Sequence, residues 1–233
     1  MKKKIIIFGG GSHAKVIFHQ IIENKKYLFI GFVDDAKKKG ELIFSFNKKN
    51  YYNLGSIDDL DLKGKKFKSN NILNNISGII GVGLNYLRKK IYNDVIKLNK
   101  KFRWEVIRSN TSIINKDIEI GEGSLIMPGV IVNSGTIIGK HCIINTSSSI
   151  DHDNHFENFS SCGPGVITGG NVKLGELSHI GIGSVVKNNI KIGHNTVVGG
   201  NSFVNKNCDN NYFFYGTPIK KVKKKLIKDN YLK

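Results

Sequence analysis

The 233-residue chain has no apolar run of the roughly 18 residues that a membrane span requires. Its start also reads as a poor secretory leader. MKKKIIIFGGGSHA opens on lysines, but its apolar stretch is only IIIF and breaks at glycines, which reads as a first strand. Cysteine is sparse: Cys142, Cys162 and Cys208 are odd in number, widely spaced and without a CxxC pair. That argues against a disulfide framework and fits a reducing cytoplasm. Acidic residues are few, 18 against 36 Lys and Arg, leaving a formal charge of +18. Arginine, the residue suited to bidentate contacts with bases and phosphates, is scarce, and lysine is spread through nearly every segment. A nucleic-acid partner is therefore not expected. The densest basic cluster is KKVKKKLIK, residues 220–228. Attraction for phosphorylated metabolites fits such a surface.

What remains is enough for a real core. Apolar residues make up 39% of the chain, and its length suits one large domain or two small ones. Residues 1–107 alternate strand and helix patterns, which implies a parallel sheet. KIIIF (4–8), LFIGFV (28–33) and SGIIGV (77–82) read as strands. Residues 13–26 carry Val16, Ile17, Ile21 and Ile22 as a helical stripe, and residues 84–98 carry Leu84, Leu87, Ile91, Val95 and Leu98 at three- and four-residue steps. Residues 36–75 are polar and rich in Lys and Asn, a partly mobile crossover by expectation.

From residue 114 the period becomes six. Ile114, Ile120, Ile126, Val132, Ile138, Ile144, Ile150, Phe156, Cys162, Thr168, Leu174, Ile180, Val186, Ile192, Val198 and Val204 share one register, and only Thr168 breaks its apolar rule. Glycine often follows, and the fourth residue after each is small or β-branched. Neither an α-helix nor a flat strand repeats every six residues, whereas a hexapeptide β-helix does, three hexads to a coil of about 18 residues. Both the apolar and the small position point into the prism, so the cysteines are core residues.

Two stretches carry candidate chemistry. Gly9, Gly10 and Gly11 end a strand and open a helix, leaving N–H groups free for a phosphate or a polar sugar group. Asp34, some 25 residues on, suits a ribose or base contact. As a dinucleotide fingerprint GGGSHA is degraded, and the half-domain lacks the second mononucleotide unit that NAD requires. A purely structural turn is the alternative. The second stretch, IDHDNHFE (150–157), sets His152 and His155 among Asp151, Asp153 and Glu157. It admits an acid/base centre, a metal site or a solvated turn. The register does not choose among His141, His152, His155 and His194, since none falls on an inward position and all are expected outside. Neighbouring residues of an extended chain point to opposite sides. His152 and Asp153 therefore converge only if the chain turns there, and no dedicated set of metal ligands is evident.

IIIFGGGSHAKV, GFVDD, LGSIDDL, GVGLNYLRKKIY and then hexads containing INTSSSIDHD occur in an order that resembles the PglD/NeuD sugar acetyltransferase family over nearly the whole chain. The resemblance implies a Rossmann-like nucleotide-sugar-binding domain at 1–107, a left-handed β-helix acetyltransferase domain at 108–210 and a basic tail at 211–233. It implies acetyl-CoA as co-substrate, no metal, and N-acetylation of a nucleotide-linked 4-amino-deoxysugar. His152 becomes the general base, Asp153 the acid that orients it (Asp151 being the alternative) and Asn145 a contact to the sugar amine. Gly11, Ser12 and His13 line the sugar-nucleotide site, with Asp34 and Asp35 near the base and Gly83 close by. Acetyl-CoA lies between two subunits of a homotrimer, matching Ile182 and Gly200, with Gly216 and Pro218 from the closing FFYGTPIKK stretch, where Ile219 replaces an alanine. Lys220 and Lys221 are candidates to attract its phosphates. One departure stands out: Ser161 occupies the place of a histidine that meets the thioester, while His179 is expected one coil above it. O-acetylation of sialic acid, as in the NeuD branch, and an inactive β-helix binding module are the other readings.

Overall fold

The computed structural model describes residues 2–60 and 76–232. The chain forms two compact units: Met1–Gly83 with Leu87–Ile107, and Leu84–Tyr86 with Arg108–Lys233.

The first unit is a parallel sheet in the order β2-β1-β5-β6, built from β1 (Lys3–Phe8), β2 (Tyr27–Val33), β5 (Ile76–Ile80) and β6 (Arg103–Trp104). The helix α1 (Ser12–Glu23) follows the glycine turn and α2 (Asn85–Leu98) follows β5. β1 lies centrally, so Ile5, Ile6, Ile7 and Phe8 are all fully buried, as a run without alternation predicts. The expected stripe of α1 is partly wrong: Val16 and Ile22 are exposed, and Ala14, Ile17, Phe18 and Ile21 face inward. Phe18 anchors that face, packing edge-on against Phe29, Phe44 and Tyr51. Phe44 and Tyr51 belong to an antiparallel hairpin, β3 (Leu42–Phe46) and β4 (Lys49–Tyr52), turned through Asn47 and Lys48 at positive φ. The stretch expected as a polar crossover thus contains a hairpin, because its aromatics alternate with polar residues and have Phe18 to pack on. The remainder of that expectation, over 61–75, lies outside the described residues.

The second unit is a three-faced prism of short parallel strands, a left-handed β-helix. Its first face stacks Ile107–Arg108, Leu125–Ile126, Ile143–Ile144, Ser161–Cys162, His179–Ile180 and Val197–Val198. Its second runs from Ile113–Ile114 through Ser149–Ile150 and Ile167–Thr168 to Phe203–Val204, and its third from Glu119–Ile120 through His155–Phe156 to Lys191–Ile192. Each strand pairs with the one 18 residues away, such as Ile143 with Ser161 and Ser161 with His179. From Ile126 to Val204 the apolar hexad positions are buried, each Ile, Val or Phe contributing about 1.5–3 kcal/mol by leaving water. The small inward positions have a second role. Ser124, Ser148, Ser178 and Ser184 each donate to a carbonyl 15 residues on, those of Gly139, Gly163, Gly193 and Gly199. Hydroxyls thereby satisfy corner carbonyls that the ladders leave over. The three free cysteines are buried, and burial pushes the Cys162 thiol to about 11 and that of Cys208 to about 12.

The prism ends in a hairpin of Tyr212–Tyr215 and Lys220–Lys224, the first strand of which extends the first face. Its connecting turn holds Gly216, at φ +109°, and Pro218. The Gly216 N–H donates to Ser202 Oγ and its carbonyl accepts from Phe203 N–H. Ile219 is buried, so its aliphatic side chain plugs the end of the prism.

Candidate active site

His152 and Asp153 occupy the corner between the second and third faces. Asp153 adopts φ +56°, the left-handed conformation that Asp tolerates better than most residues. This turn brings together two neighbours that an extended chain would hold apart: His152 Nδ1 lies 2.7 Å from Asp153 Oδ2. A carboxylate only accepts, so in the neutral ring the proton sits on Nδ1 and the lone pair on Nε2. The hydrogen bond to Asp153, followed by the nearby charge of Asp151, raises the imidazole above its ordinary value. Both side chains are mostly exposed, at 59% and 65%.

The corner is held from three sides. Asp151 takes the Asn133 side-chain amide and the His152 N–H, which hold its carboxyl below the usual range. Asn154, buried at a small inward position, donates through Nδ2 to the carbonyls of Asp151, His152 and Gly169. Thr168 accepts the Asp151 N–H, which accounts for the one polar residue among the sixteen apolar hexad positions. Two glycines leave the space. A Cβ on Gly170 would come within 2.5 Å of the His152 ring, and one on Gly135 within 2.3 Å of Asp153 Oδ1. The hexad register passes over these supports, although an asparagine at a small inward position directly after IDHD was the available signal.

Asn145, Ile182 and Gly200 lie on a different corner, between the first and second faces. Asn145 Oδ1 accepts the Thr146 N–H, Ile182 is 60% exposed, and Ile182 packs over Gly200 on adjacent coils. Within one chain, then, the second face separates Asn145 from His152. Apart from Ser149, the outward residues of that face are apolar: Ile113, Ile131, Ile167, Val185 and Phe203 are all more than a third exposed. On the His152 corner, two and three coils further on, Lys187, Asn188, Asn189 and Lys206 help to line a cleft of about 470 Å³.

Ser161 is not available to a thioester. It is buried on the first face, with its Oγ 2.8 Å from both Asn85 Oδ1 and His179 Nδ1. Asn85 donates its amide to the carbonyls of Leu177 and Ser178, so its Oδ1 is an acceptor and takes the single Ser161 proton. Ser161 in turn accepts from His179 Nδ1–H, which leaves the Nε2 of neutral His179 an acceptor. Tyr231 stacks on the His179 ring at 4.8 Å, and its hydroxyl accepts the Asn85 N–H. His179 does stand one coil above Ser161, but their hydroxyl and ring protons are used inside this buried network. Neither has one left for an oxyanion. The expectation that all four histidines lie outside also fails at His141, which is fully buried and stacked face to face on Phe159.

In the first unit, Gly11 caps α1. A Cβ there would meet nothing within 4 Å, so the fold itself does not require glycine, and Gly11 and Ser12 are both exposed. His13 follows with its Nε2 buried and without a hydrogen-bond partner. Burial, aided by the positive charge of Arg88, lowers its pKa to about 4. Asp34 staples the glycine turn, accepting the Gly10 N–H at 2.6 Å and the Ala36 N–H at 2.9 Å, and Asp35 accepts the Ile57 N–H. The Gly83 carbonyl accepts a 2.6 Å bond from the buried Arg88. No group of three or more His, Cys, Asp or Glu side chains suited to a metal occurs among the described residues. Nor is any described helix long and apolar enough to cross a membrane.

Residues 4–95 match the PglD N-terminal domain, and residues 117–152 match the bacterial transferase hexapeptide with six repeats. The chain therefore carries a match to a PglD N-terminal domain followed by a match to transferase hexapeptide repeats. It is 28% identical over 213 residues to the bifunctional protein GlmU of Acetivibrio thermocellus, covering 76% of this chain but 46% of that protein, under half its length. Among solved structures it resembles the acetyltransferase domain of PglB from Neisseria gonorrhoeae FA1090 (23% identity, TM-score 0.81, 95% of this chain and 100% of that one), which has also been solved with acetyl coenzyme A. It likewise resembles PerB from Caulobacter crescentus, solved with CoA and GDP-perosamine (25% identity, TM-score 0.80, 94% and 97%).

Proposed function

We propose that the protein transfers the acetyl group of acetyl-CoA to the amine of a nucleotide-linked 4-amino-deoxysugar, with His152 as general base. The observation that carries this is the bond from His152 Nδ1 to Asp153, which leaves Nε2 as an exposed acceptor on the β-helix. As the amine nitrogen bonds to the thioester carbon, Nε2 takes its proton. The tetrahedral intermediate then expels the CoA thiolate, which recovers that proton from the imidazolium. Asp153 holds the tautomer and stabilises the charged ring.

The site is completed between copies of the chain. The apolar row of the second face is flanked by the Asn145 corner on one edge and the His152 corner on the other. Packing this face against a neighbour in a closed homotrimer buries the row and brings Asn145, Ile182 and Gly200 of one copy toward His152 of the next. Acetyl-CoA runs along that seam, its phosphates at the Lys187 and Lys206 cleft, with the Gly216–Pro218 turn closing the end. The nucleotide sugar is held at Gly11, Ser12 and His13, near the turn that Asp34 fixes. Asp35 and Gly83 complete its surroundings. The buried free thiols suit a reducing cytoplasm.

Release of CoA thiol, measured with UDP-, GDP- and dTDP-linked 4-amino sugars and with sialic acid, tests this reading. An amino sugar is expected to drive release, and His152→Ala is expected to lose turnover by about 10²–10⁴-fold while retaining acetyl-CoA binding. Turnover with sialic acid alone would move the reaction to a hydroxyl. Unchanged turnover in His152→Ala would remove the base.

A further inference from the structure

The most basic stretch of the chain ends in a built turn. Leu226 N–H donates to Asp229 Oδ2 at 2.8 Å and Asp229 N–H to the Leu226 carbonyl at 3.2 Å, closing residues 226–229. The turn is pinned on both sides within its own unit. Before it, Lys225 is buried, its Nζ donating to Asn195 Oδ1 at 2.7 Å and its N–H to the Asn211 carbonyl. After it, Tyr231 stacks on His179. Between these anchors Leu226 is 71% and Ile227 54% exposed, although both are large aliphatic side chains. Val222, on the preceding strand, is 57% exposed.

The charges around this tip divide into two sets. Lys221 is paired with Asp209 and lies over Tyr212, Lys223 lies over Phe213, and Lys225 is inside. Lys224 and Lys228 are exposed beside the aliphatic tip, and the one acid of the turn, Asp229, is occupied by the Leu226 N–H.

We propose that the Leu226–Asp229 turn, with Lys224 and Lys228, docks the protein on an anionic phospholipid surface. Aliphatic side chains at a fixed tip, ringed by ammonium groups, match an interface that is apolar within and negative outside. The same patch on a second copy would repel it. A nucleic acid would find no arginine fork there, since the chain has no arginine after Arg108. The surface is separate from the second face and from the His152 corner, so it stands whether or not the acetyl-transfer reading does.

Flotation of the full chain with vesicles of phosphatidylcholine, with and without phosphatidylglycerol, tests the proposal. The protein is expected to float with the anionic vesicles only, and less so as salt rises. Lys224→Gln and Lys228→Gln are each expected to weaken partition about fivefold. The double variant Leu226→Asp, Ile227→Asp is expected to abolish it with an unchanged melting profile and elution volume. Either no flotation of the unaltered chain or equal flotation with neutral vesicles would overturn the proposal. So would undiminished flotation of the double variant, or capture of duplex RNA or of a second copy that depends on Leu226 and Ile227 while vesicles are ignored.

Discussion

At the scale of the residue, the proposed function turns on one imidazole and the space around it. Asp153 raises the His152 pKa chiefly through their hydrogen bond, and a base works only when unprotonated. Replacing Asp153 by Asn is therefore expected to move the acid limb of the kcat/KM profile to lower pH. The plateau should fall about 10- to 100-fold, because the tautomer is no longer held by a carboxylate. A pH–rate profile reads both effects, and a limb that stays in place would separate Asp153 from the base. Gly170 sets the second condition. Its backbone φ is not in the left-handed region, so alanine fits the chain, but a Cβ there meets the His152 ring at 2.5 Å. Gly170→Ala is expected to lower kcat by about 10²-fold through displacement of the ring, with a Tm like that of the parent. Steady-state kinetics beside a thermal melt distinguishes this from a folding defect.

At the scale of the element, what matters is how one coil of the prism holds a catalytic corner. The Asn154 amide reaches three carbonyls from inside. Asn154→Ala removes the donor to the Gly169 carbonyl and leaves the Asp151 and His152 carbonyls with only Thr136 Oγ1 and the Asn171 N–H, and is expected to cost about 1–3 kcal/mol in denaturant unfolding, with a loss of turnover from the loosened corner. The register of this coil was legible in the sequence, since Ile150 and Phe156 announce it. What could not be read was the turn at Asp153. A hexad pattern records which side chains point inward and says nothing of φ at a corner. The same limit explains Ser161 and His141. Their hexad positions are outward, and only packing on the first face and on Phe159 buries them.

At the scale of the whole molecule, the apolar row on the second face predicts self-association. Ile167, half exposed in the middle of the row, is the residue to change. Ile167→Asp is expected to convert the proposed trimer to a monomer in light scattering with its β-helix intact, and to remove turnover along with the assembly. A monomeric parent protein, or an active monomeric variant, would overturn the shared site.

The hexad register and the order of strands and helices in the first unit were determined along the chain, because each depends on local spacing: six residues per face, two or 3.6 per turn of pattern. Tertiary structure alone decided which of these residues meet. It put Asn145 and His152 on opposite edges of one face, consumed the Ser161 proton in a network reaching from Asn85 to Tyr231, and fastened an exposed aliphatic turn between Lys225 and His179. Those outcomes depend on contacts between residues up to 146 positions apart, such as Asn85 with Tyr231. Periodicity cannot carry such contacts, because it describes the face a side chain takes and not the partner waiting there.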